Sequence, residues 1–126
     1  MKFQKFISIS SAILLLSLSW TAFAEKCNAE AEFLKAYPAN DVPSKFKFKF
    51  RVESDDCVES SCMGFIQTKI HYQTAEGRST WSEKQIRYRI KGGETSTEAT
   101  DETYPGGPLY PIQINDVDVM EVSCSK

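Results

Sequence analysis

Asp55-Asp-Cys-Val-Glu-Ser-Ser-Cys62 sets two cysteines among three carboxylates, Asp55, Asp56 and Glu59. Three chemistries use such neighbours. Zinc takes four nitrogen or sulfur ligands; this stretch offers two thiols, and the single histidine of the chain, His71, lies well beyond Cys62. Dithiol redox sites separate their cysteines by two residues, whereas four intervene here. A calcium loop alternates its oxygen ligands around a glycine, which this stretch lacks. A disulfide is the reading left. The chain has four cysteines in all, Cys27, Cys57, Cys62 and Cys124, and an even count in a small exported chain reads as a disulfide framework. Of the three possible pairings, Cys57–Cys62 with Cys27–Cys124 is expected: one closes a short loop, the other ties the two ends together. In the chain-entropy picture the short loop contributes about 2 kcal/mol and the long one nearly 5.

Other chemistry is thinly supplied. His71 is a candidate general base, but no serine or cysteine sits in a recognisable nucleophile turn beside it. Asn115-Asp116 with Asp118 has the oxygens for a cation but equally the composition of a turn. The carboxylates Glu98, Asp101 and Glu102 would need a partner across a cleft to hydrolyse a glycoside. Gly92-Gly93 and Pro105-Gly-Gly-Pro108 are not phosphate cradles, because neither stands between a strand and a helix. No pattern asks for a cofactor or a metal.

Binding is better represented. Lys45, Lys47, Lys49 and Arg51 alternate along one stretch, and Arg87, Arg89 and Lys91 along another. Alternate residues of a strand lie about 7 Å apart. If the two stretches share a sheet, their cations cover one face, a surface for an anionic polymer, lipid headgroup or acidic protein. The second feature is Tyr104-Pro-Gly-Gly-Pro-Leu-Tyr-Pro111, where Tyr104, Leu109 and Tyr110 ride on a proline-stiffened loop that loses little entropy on contact. Trp81 shares parity with Arg87 and Arg89 and is expected outside the core.

The elements that must position these residues read mostly as strands. Residues 45–52, KFKFKFRV, alternate strictly, with Phe46, Phe48, Phe50 and Val52 to one side. A strand from Met63 to Thr74 turns at Ala75–Arg78, where Gly77 is free to take positive φ. It returns through Ile86, Tyr88 and Ile90, so the two form a hairpin. Gly92-Gly93 turns again into a short polar edge strand, Glu94–Thr100. Ile112 to Cys124 closes the chain as strand, its alternation slipping near Asn115-Asp116 and near Met120 as bulges would make it slip. Asn28 is placed to cap a short helix running to Tyr37, and Pro38 and Pro43 bracket a turn-rich linker. The fold expected is all-β. Its architecture resembles a small immunoglobulin- or fibronectin-III-like β-sandwich, with a small β-barrel as the alternative.

The chain opens with Lys2 and Lys5, an apolar stretch from Ile7 to Trp20 and the small-x-small sequence Ala22-Phe-Ala24. This is the grammar of a secretory signal peptide, 1–24, and its apolar run is too short to span a bilayer. Residues 25–126 then form one domain. They keep all 17 acidic residues and lose two of the 15 basic ones, so the net charge falls from −2 to −4, which argues against nucleic acid as a partner. The reading is a periplasmic or secreted, non-enzymatic binding protein whose partner is another protein or an anionic surface polymer or lipid. The alternatives are an inhibitor or immunity protein for an exported hydrolase, a subunit of a surface or secretion assembly, and a small hydrolase using His71.

Overall fold

Where large apolar residues alternate with charged ones, the backbone gains most by lying flat, with one face on a core and the other in water. The stretch KFKFKFRV does this at the centre of β2 (Val42–Glu53): Phe48, Phe50 and Val52 are fully buried and Phe46 nearly so. A computed structural model describes residues 25–126. The expected signal peptide, 1–24, lies outside the described residues.

Six strands follow in order: β1 (Glu30–Ala39), β2, β3 (Cys62–Thr74), β4 (Ser79–Ile90), β5 (Ser96–Thr103) and β6 (Ile112–Val122). They make two antiparallel three-stranded sheets, β1-β2-β5 and β4-β3-β6. The sheets are separate, so the barrel alternative does not hold. Phe46, Phe48, Phe50 and Val52 from one sheet meet Ile66, Ile70, Ile86, Tyr88, Ile90 and Val117 from the other in a single buried cluster. Fully buried Thr68 is accommodated because its hydroxyl donates to the Lys84 carbonyl at 2.7 Å.

The expected helix over 28–37 is a strand instead. β1 pairs along β2 with a register shift between Phe33 and Lys35, so Leu34 is an extra residue. That bulge breaks the period of two and leaves apolar residues at Ala29, Phe33 and Ala36, spaced as on a helix. Tertiary packing decides the matter: Phe33 packs against Phe50 with ring centroids 5.5 Å apart and the rings tilted. The linker expected between Pro38 and Pro43 is a tight hairpin. Asn40 and Asp41 both take positive φ (51° and 59°), the conformation that matches a two-residue loop to the twist of its strands. Pro38 is tolerated because β1 is an edge strand.

Elsewhere the structure follows the sequence. β3 and β4 form the expected hairpin, with Gly77 at φ 87°. β5 is an edge strand. β6 pairs with β3 with shifts that leave Asn115 and Met120 as the extra residues. Both expected disulfides are formed, Cys27–Cys124 and Cys57–Cys62. Among the described residues there is no helix, and so none long and apolar enough to cross a membrane.

Candidate binding surfaces

The antiparallel order sorts the connections into two ends. The β1–β2 turn, the β3–β4 turn and the β5–β6 loop (residues 104–111) share one end. Residues 25–29, the β2–β3 connection, the β4–β5 turn and residues 123–126 share the other, with both disulfides.

The β5–β6 loop is fixed at its base and open at its tip. Its base is held by Ser44 Oγ, which donates to the Pro108 carbonyl at 3.1 Å, and by a turn in which the Gly107 N–H donates to the Tyr104 carbonyl at 3.0 Å. Gly107 sits at φ 91°, where a side chain would strain the backbone. Lys45 Nζ lies 5.5 Å from the centre of the Tyr104 ring, so Tyr104 is partly covered. Leu109 and Tyr110 are not: they are 80% and 69% exposed, the two most exposed large apolar side chains among the described residues. Beneath Tyr110 a cleft of about 230 Å³ opens between loop and hairpin, lined by Tyr72, Glu76, Arg78, Gly106 and Ile112.

The expected cationic face does not form. β2 and β4 belong to different sheets, so Lys45, Lys47, Lys49 and Arg51 point away from one side of the molecule and Arg87 and Arg89 from the other. Moreover, three of the four β2 cations, all but Lys49, have acids beside them. Lys45 and Lys47 reach Glu102 at 3.4 and 3.7 Å. Arg51 stands in register between Glu32 and Glu98, and Lys49 between Lys35 and Thr100. Exposed pairs of this kind contribute at most about 1 kcal/mol each, but they reduce the positive field an anion would need.

The outer face of β4-β3-β6 carries the remaining candidates. Trp81 is 51% exposed, as its parity predicted, with Lys69 Nζ 4.2 Å from its ring centre. The Arg87 guanidinium lies over Phe65 at 5.6 Å. Arg87, Arg89, Met63 and Phe65 border a shallow depression of about 570 Å³. Lys91 lies just past β4 in the exposed turn, apart from these. His71 Nε2 bonds Asp118 Oδ2 at 2.8 Å and stands in register between Trp81 and Asp116. Asp116 Oδ1 accepts the Val117 N–H at 2.9 Å, so it serves the bulge.

Of the three opening carboxylates, Asp56 is likewise structural. Asp56 Oδ2 accepts the Asn28 N–H at 2.8 Å, and Ser54 Oγ, which donates to the Asn28 carbonyl, receives the Asp56 N–H at 3.2 Å. The sequence reading missed one pair. Lys84 and Asp101 face inward from β4 and β5, 3.8 Å apart across the gap between the sheets. Burial raises the Asp101 carboxyl above its ordinary pKa, and the Lys84 ammonium partly offsets this. The signal was present in the parity of Lys84 with Ile86, but alternation alone does not identify its partner.

No protein-family model matches the chain, and no curated protein matches it. Among solved structures it is similar to IrmA from Escherichia coli, with 14% identity over 77% of this chain and 80% of that one and a TM-score of 0.38. It is also similar to the structural-genomics target SoR45, with 11% identity over 82% and 85% and a TM-score of 0.25. Neither is close enough to carry a function across.

Proposed function

We propose that the chain is an exported, non-enzymatic binding protein that holds a partner protein at the end opposite its disulfides. In this reading the two sheets are a reduced sandwich of the immunoglobulin or fibronectin-III kind, presenting loops at one end. The observation that carries it is the β5–β6 loop. Water has access to Leu109 and Tyr110 at the tip, while Pro105, Pro108 and Pro111 and the Ser44 bond hold the base. Apolar groups held in place before contact lose little entropy on contact. A protein is favoured over an anionic polymer because Glu102, Glu32 and Glu98 already face three of the four β2 cations. The signal-like 1–24 and the two disulfides support export. An inhibitor, an immunity protein or an assembly subunit would all use such a tip.

The test is co-purification from the exported fraction with Tyr110→Ala and Leu109→Ser as controls. A stoichiometric protein should survive high salt with the parent chain and be lost with both variants. Binding that persists in both variants, or that salt abolishes, would reject the loop as the site.

A further inference from the structure

A sheet edge is a row of unpaired N–H and C=O groups, and proteins usually guard it. Three of the four edges here are guarded. β1 carries the Leu34 bulge and Pro38, and β6 carries two bulges. β5 is eight residues long and carries Glu98 and Glu102 on its outer face, so it would repel its own copy. β4 differs. It has no proline, and every residue from Ser79 to Ile90 pairs with β3 without a register shift. Among the described residues it pairs with no other strand. The Lys84 carbonyl faces β3, since it accepts the Thr68 hydroxyl. In a regular strand the backbone groups of Glu83, Gln85 and Arg87 therefore face outward along the free edge.

We infer that β4 is a homodimerisation edge, pairing antiparallel with β4 of a second copy about a two-fold axis at Gln85. The sequence of the strand is complementary to itself about that residue. Trp81, Glu83, Gln85, Arg87 and Arg89 are all exposed on one face. In this register Glu83 lies opposite Arg87 of the second copy and Trp81 opposite Arg89, an ion pair and a cation–π pair, each made twice. Overlap runs from Thr80 to Ile90. Neighbouring registers are worse. An axis at Lys84 sets Lys84 against itself, one at Glu83 sets two carboxylates together, and one at Arg87 sets two guanidiniums together. An axis at Ile86 keeps an ion pair, Glu83 opposite Arg89, but leaves Arg87 opposite Gln85, puts Trp81 beyond the partner strand and shortens the overlap. The inward Lys84 thus acts as a register lock: it faces Ile86 when the axis is at Gln85.

Because the strands run antiparallel, the two β5–β6 loops of the dimer point in opposite directions. The inference does not depend on the binding role of those loops, and its test uses no ligand.

Sedimentation equilibrium of the disulfide-bonded protein over about 1 µM to 1 mM should show a monomer–dimer equilibrium. Glu83→Arg and Arg87→Glu should each weaken the dimer by about tenfold or more, because each turns two attractive pairs into repulsive ones. The double variant Glu83→Arg/Arg87→Glu should recover it. Mixing the two single variants should also give a heterodimer, since each then supplies the charge the other lacks. Circular dichroism confirms that each variant is folded. A monomer at all concentrations, a dimer indifferent to both single reversals, or a mixture that gains nothing would overturn the inference.

Discussion

The two ends of the molecule are held by different means. At the disulfide end, main-chain bonds link segments far apart in sequence: Gly93 N–H to the Cys57 carbonyl at 2.8 Å, Ser54 N–H to Thr95 at 2.9 Å, Lys126 N–H to Glu25 at 2.9 Å. Cys57 and Cys62 are fully buried there. At the loop end, the turns bond mainly within themselves, as Gly77 N–H does to the Thr74 carbonyl at 2.9 Å. The long-range tie from the β5–β6 loop is Ser44 to Pro108. Crosslinks at one end free the other from supplying stability, which leaves its exposed apolar tip available for the contact proposed above. Stability and recognition should therefore separate along the long axis.

The largest effect expected is at the disulfide end. Replacing Cys27 and Cys124 by alanine opens a crosslink spanning 97 residues, and replacing Cys57 and Cys62 opens one spanning 5. The long loop should cost about 5 kcal/mol and the short one about 2, plus the cost of the small cavities left by two buried sulfurs. Urea titration of both alanine pairs checks the order. A reversed order would mean that burial of Cys57 and Cys62, and not loop length, governs that end. Next comes Gly64→Ala. A Cβ at Gly64 would collide with the Ser123 carbonyl, next to Cys124. Ser123 is fixed there by its own N–H bond to Phe65 at 2.9 Å, so the strand cannot yield easily. A loss of about 1–3 kcal/mol is expected, read as a lower thermal midpoint.

At the loop end the same measurements should barely move. Tyr110→Ala and Leu109→Ser remove side chains that are mostly in water, so unfolding free energy should stay within about 0.5 kcal/mol of the parent. If the proposed function holds, partner capture should be lost. A large fall in stability in either variant would show that the tip supports the fold, and the division between the ends would fail.

How far this division was legible depends on what a strand's own sequence records. Alternation around Phe46–Val52 gave β2 its faces, and the slips at Asn115 and Met120 gave β6 its bulges, because both are local. The disulfide pairing followed from the placement of the cysteines along the chain. Leu34 misled because a bulge shifts apolar spacing from that of a strand towards that of a helix. The cation face failed for another reason. Periodicity says which way Lys49 or Arg87 points within its own strand, but not which sheet the strand joins, and here β2 and β4 joined different ones. The exposure of Leu109, Tyr110 and Trp81 was legible from prolines and parity; the cleft under Tyr110 was not, because it needs the β3–β4 turn beside the β5–β6 loop.

The smallest expected effect lies between the ends and tests whether the middle is neutral. Asp101 pairs with Lys84 across the gap between the sheets, and burial raises its pKa above the ordinary 3.8. In the unfolded chain the group ionises near that ordinary value. A carboxyl raised on folding favours the folded state most when protonated. Its contribution is therefore full below pH 3.8 and is lost as the pH rises through the folded value. Asp101→Asn removes that dependence, so the stability of the parent relative to the variant should decline across this acidic window and then level off. Lys84→Met should widen the window, because the ammonium that partly offsets the burial is gone. Paired acid titrations of the three proteins by circular dichroism check both statements. A parent that gains on Asp101→Asn as the pH rises would mean that attraction to Lys84 outweighs burial, and that the inward pair stabilises the middle of the fold.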